Sequence, residues 1–400
     1  MVQEMVKATV VGLTGDGAAA DAMRQINPDV VAAYPITPQT EIVERFAEYV
    51  ADGKVNTEFV AVESEHSALS ACCGAAAAGA RVITCTASQG LALMHEMLYI
   101  TAGNRLPIVM PMVNRALSAP INIHGDHSDS MGSRDAGWIQ LYCQDAQEVY
   151  DSVIQAVRIA EHEDVHLPVM ICLDGFMVSH DMEWVEMLAD EEVRKFIGEH
   201  PRTINMLDKD NPISIGALAL PPVYFEHKVA QIRALEGSAK VIREVGAEWG
   251  QLTGRAYGTV DAYKMDDAEV AIVTMSSAAG TTRTVVDALR DEGQKVGLLR
   301  IRSYRPFPTA EVIAALKGKK AVATLDRASS PGAVAAPIMS DISAALYDEE
   351  QRPRLAGYVF GLGGRDLGLD DVASVFARLQ KIAQTGEVGP ALSYLGLRDD

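Results

Sequence analysis

The chain is poor in cysteine and uses what it has without pattern. Its 400 residues hold five cysteines: Cys72, Cys73, Cys85, Cys143 and Cys172. The number is odd, and no CxxC pair or metal-ligand spacing joins them. A four-Cys ferredoxin-type cluster held by this chain alone is therefore excluded. Four of the five lie in apolar or small-residue runs and read as buried thiols. Long apolar runs are also missing. No stretch approaches the roughly 20 apolar residues that span a bilayer. The Ala-rich stretch near 68–80 is too small-sided and ends at Arg81. Glu4 and Lys7 precede a strand-like run, not a signal-peptide pattern, so a cytoplasmic protein is expected. Cations are scarce: 35 Lys and Arg against 54 Asp and Glu give a formal net charge of −19. That balance disfavours nucleic acid and membranes as partners and favours solubility. It would also repel an acidic electron carrier, which places such docking on another chain. There is no GxGxxG, Walker lysine, GxSxG or HExxH signature.

The length suggests two or three domains with ample core, and the 48% hydrophobic content is ordinary for a globular chain. Apolar, β-branched runs at 8–13, 30–34, 58–62, 81–86, 107–113 and 168–173 read as strands, with helix-length stretches between most of them. That alternation predicts an α/β fold with a parallel sheet covered on both faces. Residues 201–222, with their prolines and Asp208-Lys209-Asp210-Asn211-Pro212, read as an irregular excursion. A long amphipathic helix is predicted over 223–252. Phe225, Val229, Ile232, Ala239, Ile242, Val245, Trp249 and Leu252 recur there at near-helical spacing, and Gly237 and Gly246 permit local breaks. A second α/β pattern follows, with strands at 270–275, 297–301, 321–325 and 358–361 and helices at 281–290 and 308–316. The boundary falls near 255–268, giving domains 1–255 and 256–400.

The most informative stretch is Tyr34-Pro35-Ile36-Thr37-Pro38-Gln39-Thr40-Glu41. An apolar run ends in two prolines that flank Ile-Thr, and an amphipathic run then begins. Proline fixes φ and pushes the residue before it out of the α region. The turn is expected to hold Thr37 in one pose at a strand's C-terminal edge, where open parallel sheets bind ligands. Thr37 as a helix cap is the plainer alternative. Three more strands end in polar tips: Glu63-Ser64-Glu65-His66, Thr86-Ala87-Ser88-Gln89-Gly90 and Asn114-Arg115. In a parallel sheet these tips gather on one rim that carries a hydroxyl, a carboxylate, an amide and a guanidinium. Glu63 and Glu65 both suit the first turn of a helix. The helix that follows, 68–79, is nearly all small residues, which allows close approach of another backbone or a flat ring. Arg115 follows a long apolar strand, and its planar fork suits a small carboxylate. A salt bridge to Asp126 or Asp129 is the alternative. His124-Gly125-Asp126-His127-Ser128-Asp129 offers metal-ligand side chains but no second cluster at recognisable spacing, so no metal is assigned to this chain. Gly12-Leu13-Thr14-Gly15-Asp16-Gly17 reads as a tight strand–helix turn.

Taken together, these strings resemble the alpha subunits of the 2-oxoacid:ferredoxin oxidoreductases, those acting on pyruvate above all. Asn114-Arg115-Ala116-Leu117-Ser118-Ala119-Pro120 and Leu173-Asp174-Gly175-Phe176 extend the likeness over nearly the whole chain. The resemblance implies a thiamine-diphosphate-type pyrimidine-binding domain over 1–255 and a transketolase C-terminal-like α/β domain over 256–400. It implies that Thr37 and Arg115 bind the substrate. Glu65 would activate the cofactor through N1′ of its aminopyrimidine, and Pro35, Ile36 and Gln89 would help bind it. Burial favours the protonated form of a carboxyl, which suits that task. The 124–129 loop would help enclose the site, with His127 or Asp126 as candidates for proton transfer. One departure stands out: Gly15-Asp16-Gly17-Ala18 replaces the Gly-Asn-Glu-Ala common in the family. Gly-Asp-Gly also mimics the start of a magnesium–diphosphate motif, but Asn27 comes too early to complete it. The diphosphate half and Mg2+ are therefore expected on a beta subunit, and [4Fe-4S] clusters on gamma and delta subunits or their equivalents. The implied activity is oxidative decarboxylation of pyruvate with CoA to acetyl-CoA and CO2, with electrons passed to ferredoxin. The same chemistry on a branched substrate such as 2-oxoisovalerate, and a non-catalytic α/β assembly subunit, are the alternatives.

Overall fold

The computed structural model describes residues 8–398. In the first half the strands are β1 (Thr9–Leu13), β2 (Val30–Ala33), β3 (Glu58–Ala61), β4 (Val82–Ile83), β5 (Ile108–Asn114), β6 (Ile139–Tyr142), β7 (Val169–Asp174) and β8 (Glu183–Met187). In the second they are β9 (Val260–Tyr263), β10 (Val270–Thr274), β11 (Val296–Ile301), β12 (Ser303–Arg305), β13 (Ala321–Asp326), β14 (Arg354–Val359) and β15 (Leu392–Tyr394). The first sheet has the order β12-β6-β7-β5-β4-β2-β3, and the second β15-β14-β13-β10-β11-β9. Both are parallel except at one edge, where β12 and β9 run antiparallel to their neighbours. Every residue of β5, β7, β10, β11 and β13 is buried. Parallel sheets covered on both faces demand such continuous apolar strands. The expected α/β fold with parallel sheets is what the chain adopts.

Several local expectations are corrected. The 8–13 run is a strand, but it lies outside the parallel sheet and pairs antiparallel with β8. A β-branched run signals a strand without naming its partner. The 81–86 strand contracts to Val82–Ile83, with Thr86 in a lone bridge to Met112. The strand predicted at 358–361 runs instead from Arg354 to Val359. The helix Pro221–Thr253 continues through both Gly237 and Gly246. Gly246 serves packing there: a Cβ would lie 1.9 Å from the Tyr257 carbonyl oxygen. Only the C-terminal part of the helix's apolar stripe is covered. Ile242, Val245 and Trp249 are buried, while Phe225 and Ile232 face solvent. The 201–222 excursion has no helix or strand before Pro221.

One apolar core fills the space between the first sheet and the helices Gly15–Ile26, Thr40–Ala51 and Ala146–Glu161. A second is shared between the halves, with Met110, Tyr142 and Met170 packed in one cluster with Val273, Leu299 and Ile338. A third lies under the last long helix, Leu369–Thr385. Polar links reinforce the shared core. Buried Glu148 receives Arg300 Nη1 at 2.6 Å and Arg302 Nε at 2.9 Å. Burial works to raise the pKa of Glu148, but the two guanidinium groups overcome it and hold the carboxyl below its ordinary value. No described helix is long and apolar enough to cross a membrane.

Candidate active site

Parallel pairing of β3, β2, β4 and β5 brings their C-terminal tips to one rim. The turn after β2 is held by Gln39, which is fully buried. Its Oε1 accepts from Ile36 N at 3.1 Å, and its Nε2 donates to Cys85 O at 3.1 Å. The next helix starts at Thr40 with Gln39 as its N-cap, so Thr37 is not the cap. The Thr37 side chain is left exposed on the rim, and its carbonyl accepts from Arg115 Nη1 at 2.8 Å. The tertiary fold therefore brings Thr37 and Arg115 together across 78 residues of sequence. Pro35 is exposed on the same turn, and Ile36 packs its side chain against the apolar core.

Arg115 is only 7% exposed. Its Nε donates to Asn122 O at 2.9 Å, and among the described residues no carboxylate lies in ion-pair contact with its guanidinium. The alternative salt bridge to Asp126 or Asp129 does not form. Asp129 instead accepts the backbone N–H of Arg115 at 2.8 Å, that of Ser88 at 3.0 Å and the Asn114 amide at 2.9 Å. Burial pushes Asp129 up to about 6, against the pull of those donors. Asp126 accepts from Ser128 N at 3.0 Å and from Gly363 N at 3.1 Å. Both acids thus shape the 124–129 loop, one by fixing the backbone of Arg115 and the other by anchoring to the second half.

Glu63 and Glu65, equivalent in sequence, separate in space. Glu63 is exposed, and the Ser67 hydroxyl donating to it holds its carboxyl below the ordinary value. Glu65 opens the helix Glu65–Ala77 behind the Ser64 cap and is buried. Its carboxyl has no hydrogen bond to a described residue. The backbone of Gly90 lies against it: a Cβ there would sit 2.8 Å from Glu65 Oε1 and 2.3 Å from Thr86 Oγ1. Thr86 Oγ1 is itself buried without a partner. A bare carboxyl, an orphan hydroxyl and a glycine that keeps the gap open form a polar cradle beside apolar walls. Those residues fit one edge of an aminopyrimidine ring, which offers ring nitrogens and an exocyclic amine. Gln89 is half-buried next to Gly90. Ser88 Oγ lies 2.7 Å from both Gln89 Oε1 and Ala116 O, tying the β4 tip to the β5 tip.

The second half supports this rim from behind. His127 Nε2 lies 2.6 Å from Asp174 Oδ1, with both side chains buried. Arg327 Nη1 is 3.7 Å from Asp174 Oδ2, and Ser277 donates its N–H to the same oxygen at 3.2 Å. Burial alone would raise the pKa of Asp174, but Arg327 and His127 hold it well below the usual carboxylate range. His127 is thus tied into a buried pair facing the second half. Thr86, Gly90, Asp174 and Arg327 carry no assigned role in the sequence reading. Thr86 and Gly90 lie inside a string already singled out. Arg327 follows an apolar strand, the same signal that marks Arg115.

Comparison with known proteins identifies the family. Residues 21–247 match the family model described as pyruvate flavodoxin/ferredoxin oxidoreductase, thiamine diphosphate-binding. Residues 268–372 match that of the pyruvate:ferredoxin oxidoreductase core domain II. The pyruvate synthase subunit PorA of Thermotoga maritima is 54% identical over 389 residues, 97% of this chain and 98% of its own length. The ketoisovalerate oxidoreductase subunit VorA of Pyrococcus abyssi is 42% identical, over 96% of this chain and 97% of its own. Among solved structures, a 2-oxoglutarate:ferredoxin oxidoreductase from Magnetococcus marinus superposes with TM-score 0.72 at 19% identity, over 94% of this chain and 65% of that one. A split-gene transketolase superposes with TM-score 0.54 at 13% identity, over 93% of this chain and 100% of that one. The two structures establish a shared fold. The sequence matches go further: the chain belongs to the pyruvate:ferredoxin oxidoreductase family.

Proposed function

We propose that this chain is the alpha subunit of a multi-subunit pyruvate:ferredoxin oxidoreductase and holds the 2-oxoacid and the aminopyrimidine end of thiamine diphosphate. The observation that carries this reading is the Arg115 guanidinium, buried at the rim and without a carboxylate partner among the described residues. A buried cation without an anion is costly unless a ligand supplies one. The carboxylate of a small 2-oxoacid is such a ligand, and Arg115 binds it in fork geometry while Thr37 orients it. Glu65 holds the aminopyrimidine by its ring nitrogen. Thr86 offers a hydroxyl in the same cradle, and Pro35, Ile36 and Gln89 line the approach. When bound, thiamine diphosphate supplies the carbanion chemistry that releases CO2. The acetyl group passes to CoA, and the electron pair leaves to ferredoxin.

Other chains supply what this one does not. A beta subunit carries Mg2+ and the diphosphate-binding domain. Gamma and delta subunits or their equivalents carry [4Fe-4S] clusters and receive ferredoxin. The thiols of this chain are unpaired, and burial pushes those of Cys72 and Cys85 up to about 12, which suits core packing in a cytoplasmic protein better than cluster ligation.

The match to a ketoisovalerate oxidoreductase subunit favours one second reading, the same chemistry on a branched 2-oxoacid. Anaerobic reduction of a viologen dye by the complex purified from its source, with CoA and either pyruvate or 2-oxoisovalerate, separates the two. Pyruvate is expected to give the higher kcat/KM. Arg115→Ala is expected to raise KM for pyruvate by roughly 10–100-fold, the worth of a charge-assisted bond to an anion. An unchanged KM would remove Arg115 from substrate binding.

A further inference from the structure

Asp16 is the most exceptional acid outside the rim. It sits in the first turn of the helix Gly15–Ile26, is fully buried, and neither carboxylate oxygen has a hydrogen-bond partner among the described residues. A first-turn acid commonly gains from the helix dipole, but such acids lie in water or accept N–H bonds. Two other side chains converge on it. His180 Nδ1 lies 3.9 Å from Asp16 Oδ2, and one ligand atom from each of Asp16, Glu41 and His180 falls within 4.8 Å of the others. Glu41 is steadied by Thr14 Oγ1, which donates to its Oε1 at 3.0 Å. The His180 ring packs against Phe176, with centroids 4.7 Å apart. Arg45 Nη1, the nearest guanidinium, is 3.9 Å from Glu41 and pairs more closely with Asp21, at 2.9 Å through Nη2.

The three residues come from separate parts of the chain and share no function in the reading above. Protonating Asp16 would remove its charge but still leave a buried O–H and C=O unpaired. A cation satisfies both needs at once. We propose that Asp16, Glu41 and His180 form a binding site for a divalent first-row transition ion of the zinc or manganese kind. Two carboxylates and one imidazole match the ligand preferences of those ions. The side chains of Glu41 and His180 are 36% and 38% exposed, so water can enter and complete the coordination. An ion at His180 Nδ1 would displace the Ser179 hydroxyl, now 2.7 Å from that nitrogen.

The test uses the full chain without its partner subunits, thiamine diphosphate or added magnesium, stripped with a chelator. Zn2+ is titrated by calorimetry, and Mn2+ by loss of its free-ion electron paramagnetic resonance signal. One saturable site per chain is expected. Losing a group that merely orients a metal ligand costs about 10–100-fold in affinity, so Asp16→Asn and His180→Ala are each expected to weaken binding by more than about 100-fold. His180 is partly exposed, so its variant should keep the fold even if Asp16→Asn does not, and circular dichroism checks both. His162→Ala, at another partly exposed histidine, should leave the affinity unchanged. Absence of saturable binding, or binding that survives His180→Ala, overturns the proposal. So does binding that His162→Ala weakens equally.

Discussion

At the end of β5, Arg115 carries a buried guanidinium with no carboxylate beside it among the described residues. At the end of β13, Arg327 is just as buried but lies 3.7 Å from Asp174, which also holds His127 and Ser277. The same contrast extends along both rims. Among the described residues, buried Thr86 Oγ1 at the first sheet's rim has no partner, and the Glu65 carboxyl makes no hydrogen bond. On the second sheet, Ser276 donates to Cys143 O at 2.7 Å, while Asp326 accepts from Ile338 N at 2.7 Å through Oδ1 and leaves Oδ2 without a partner among the described residues. Two sheets of one architecture thus end in similar polar tips. Arg115, Glu65 and Thr86 stay available to a ligand, whereas Ser276, Ser277 and Arg327 reach across and tie the second half to the first. Which polar tips are spent on joining the halves, and which are not, is therefore more informative than the presence of polar residues by itself.

The largest expected effect falls on the open rim. Glu65→Gln keeps the shape but loses the acid, and should lower kcat of the assembled complex by about 10²–10⁴-fold, the usual worth of a positioned acid–base group. Stability should hardly move, because Glu65 has no hydrogen bond to a described residue to lose. A viologen assay paired with urea denaturation reads both. Near-normal turnover would erase the distinction between the rims and favour a non-catalytic assembly subunit.

The mirror-image experiment is Asp174→Asn at the tip of β7, where Arg327 of the second half is held. It leaves Arg327 and His127 without their buried counter-charge, and should cost about 3–5 kcal/mol of unfolding free energy. Turnover per folded molecule should fall much less than for Glu65→Gln. A stability loss below about 1 kcal/mol would show that the clamp contributes little to holding the halves.

A smaller, pH-dependent effect is expected at Asp326. Burial pushes its carboxyl from the ordinary 3.8 up to about 7, and its Oδ2 has no partner. Because the folded value is raised, protonation stabilises the native state. That contribution is fully present below about pH 4 and is lost as pH rises through about 7. Asp326→Asn cannot ionise, so its stability relative to the parent should improve between pH 5 and pH 8, by at most about 3 kcal/mol. Denaturation midpoints at both pH values check it, and a pH-independent difference would contradict the assignment.

Much of this is legible in the sequence. Strands β2, β5, β7, β10, β11 and β13 announce themselves as apolar runs, because parallel strands buried on both faces can hold little else, and the edge strand β3 does so through Phe59-Val60-Ala61-Val62. The short strands β6, β9, β12 and β15 do not, since each mixes polar residues into three or four positions and belongs to no continuous apolar run. The Thr37 and Arg115 tips were visible because each follows a run that should have ended in a turn. The difference between Glu63 and Glu65 was not visible: two positions apart, they share the same helix-start signal, and only packing against Gly90 buries one of them.

The sequence by itself determined the alternation of strands and helices, the polar strand ends and the family likeness carried by Tyr34-Pro35-Ile36-Thr37-Pro38. These depend on local backbone preference and on the order of apolar runs. Tertiary structure alone decided that β1 leaves the parallel sheet, that β12 crosses to join the first sheet, and that Arg327 is neutralised while Arg115 is not. It also brought Asp16, Glu41 and His180 together. Whether a buried polar group has a partner depends on which distant residues the fold brings within about 3 Å, and hydrogen-bond distance is a property of three-dimensional neighbours that no local stretch of sequence contains.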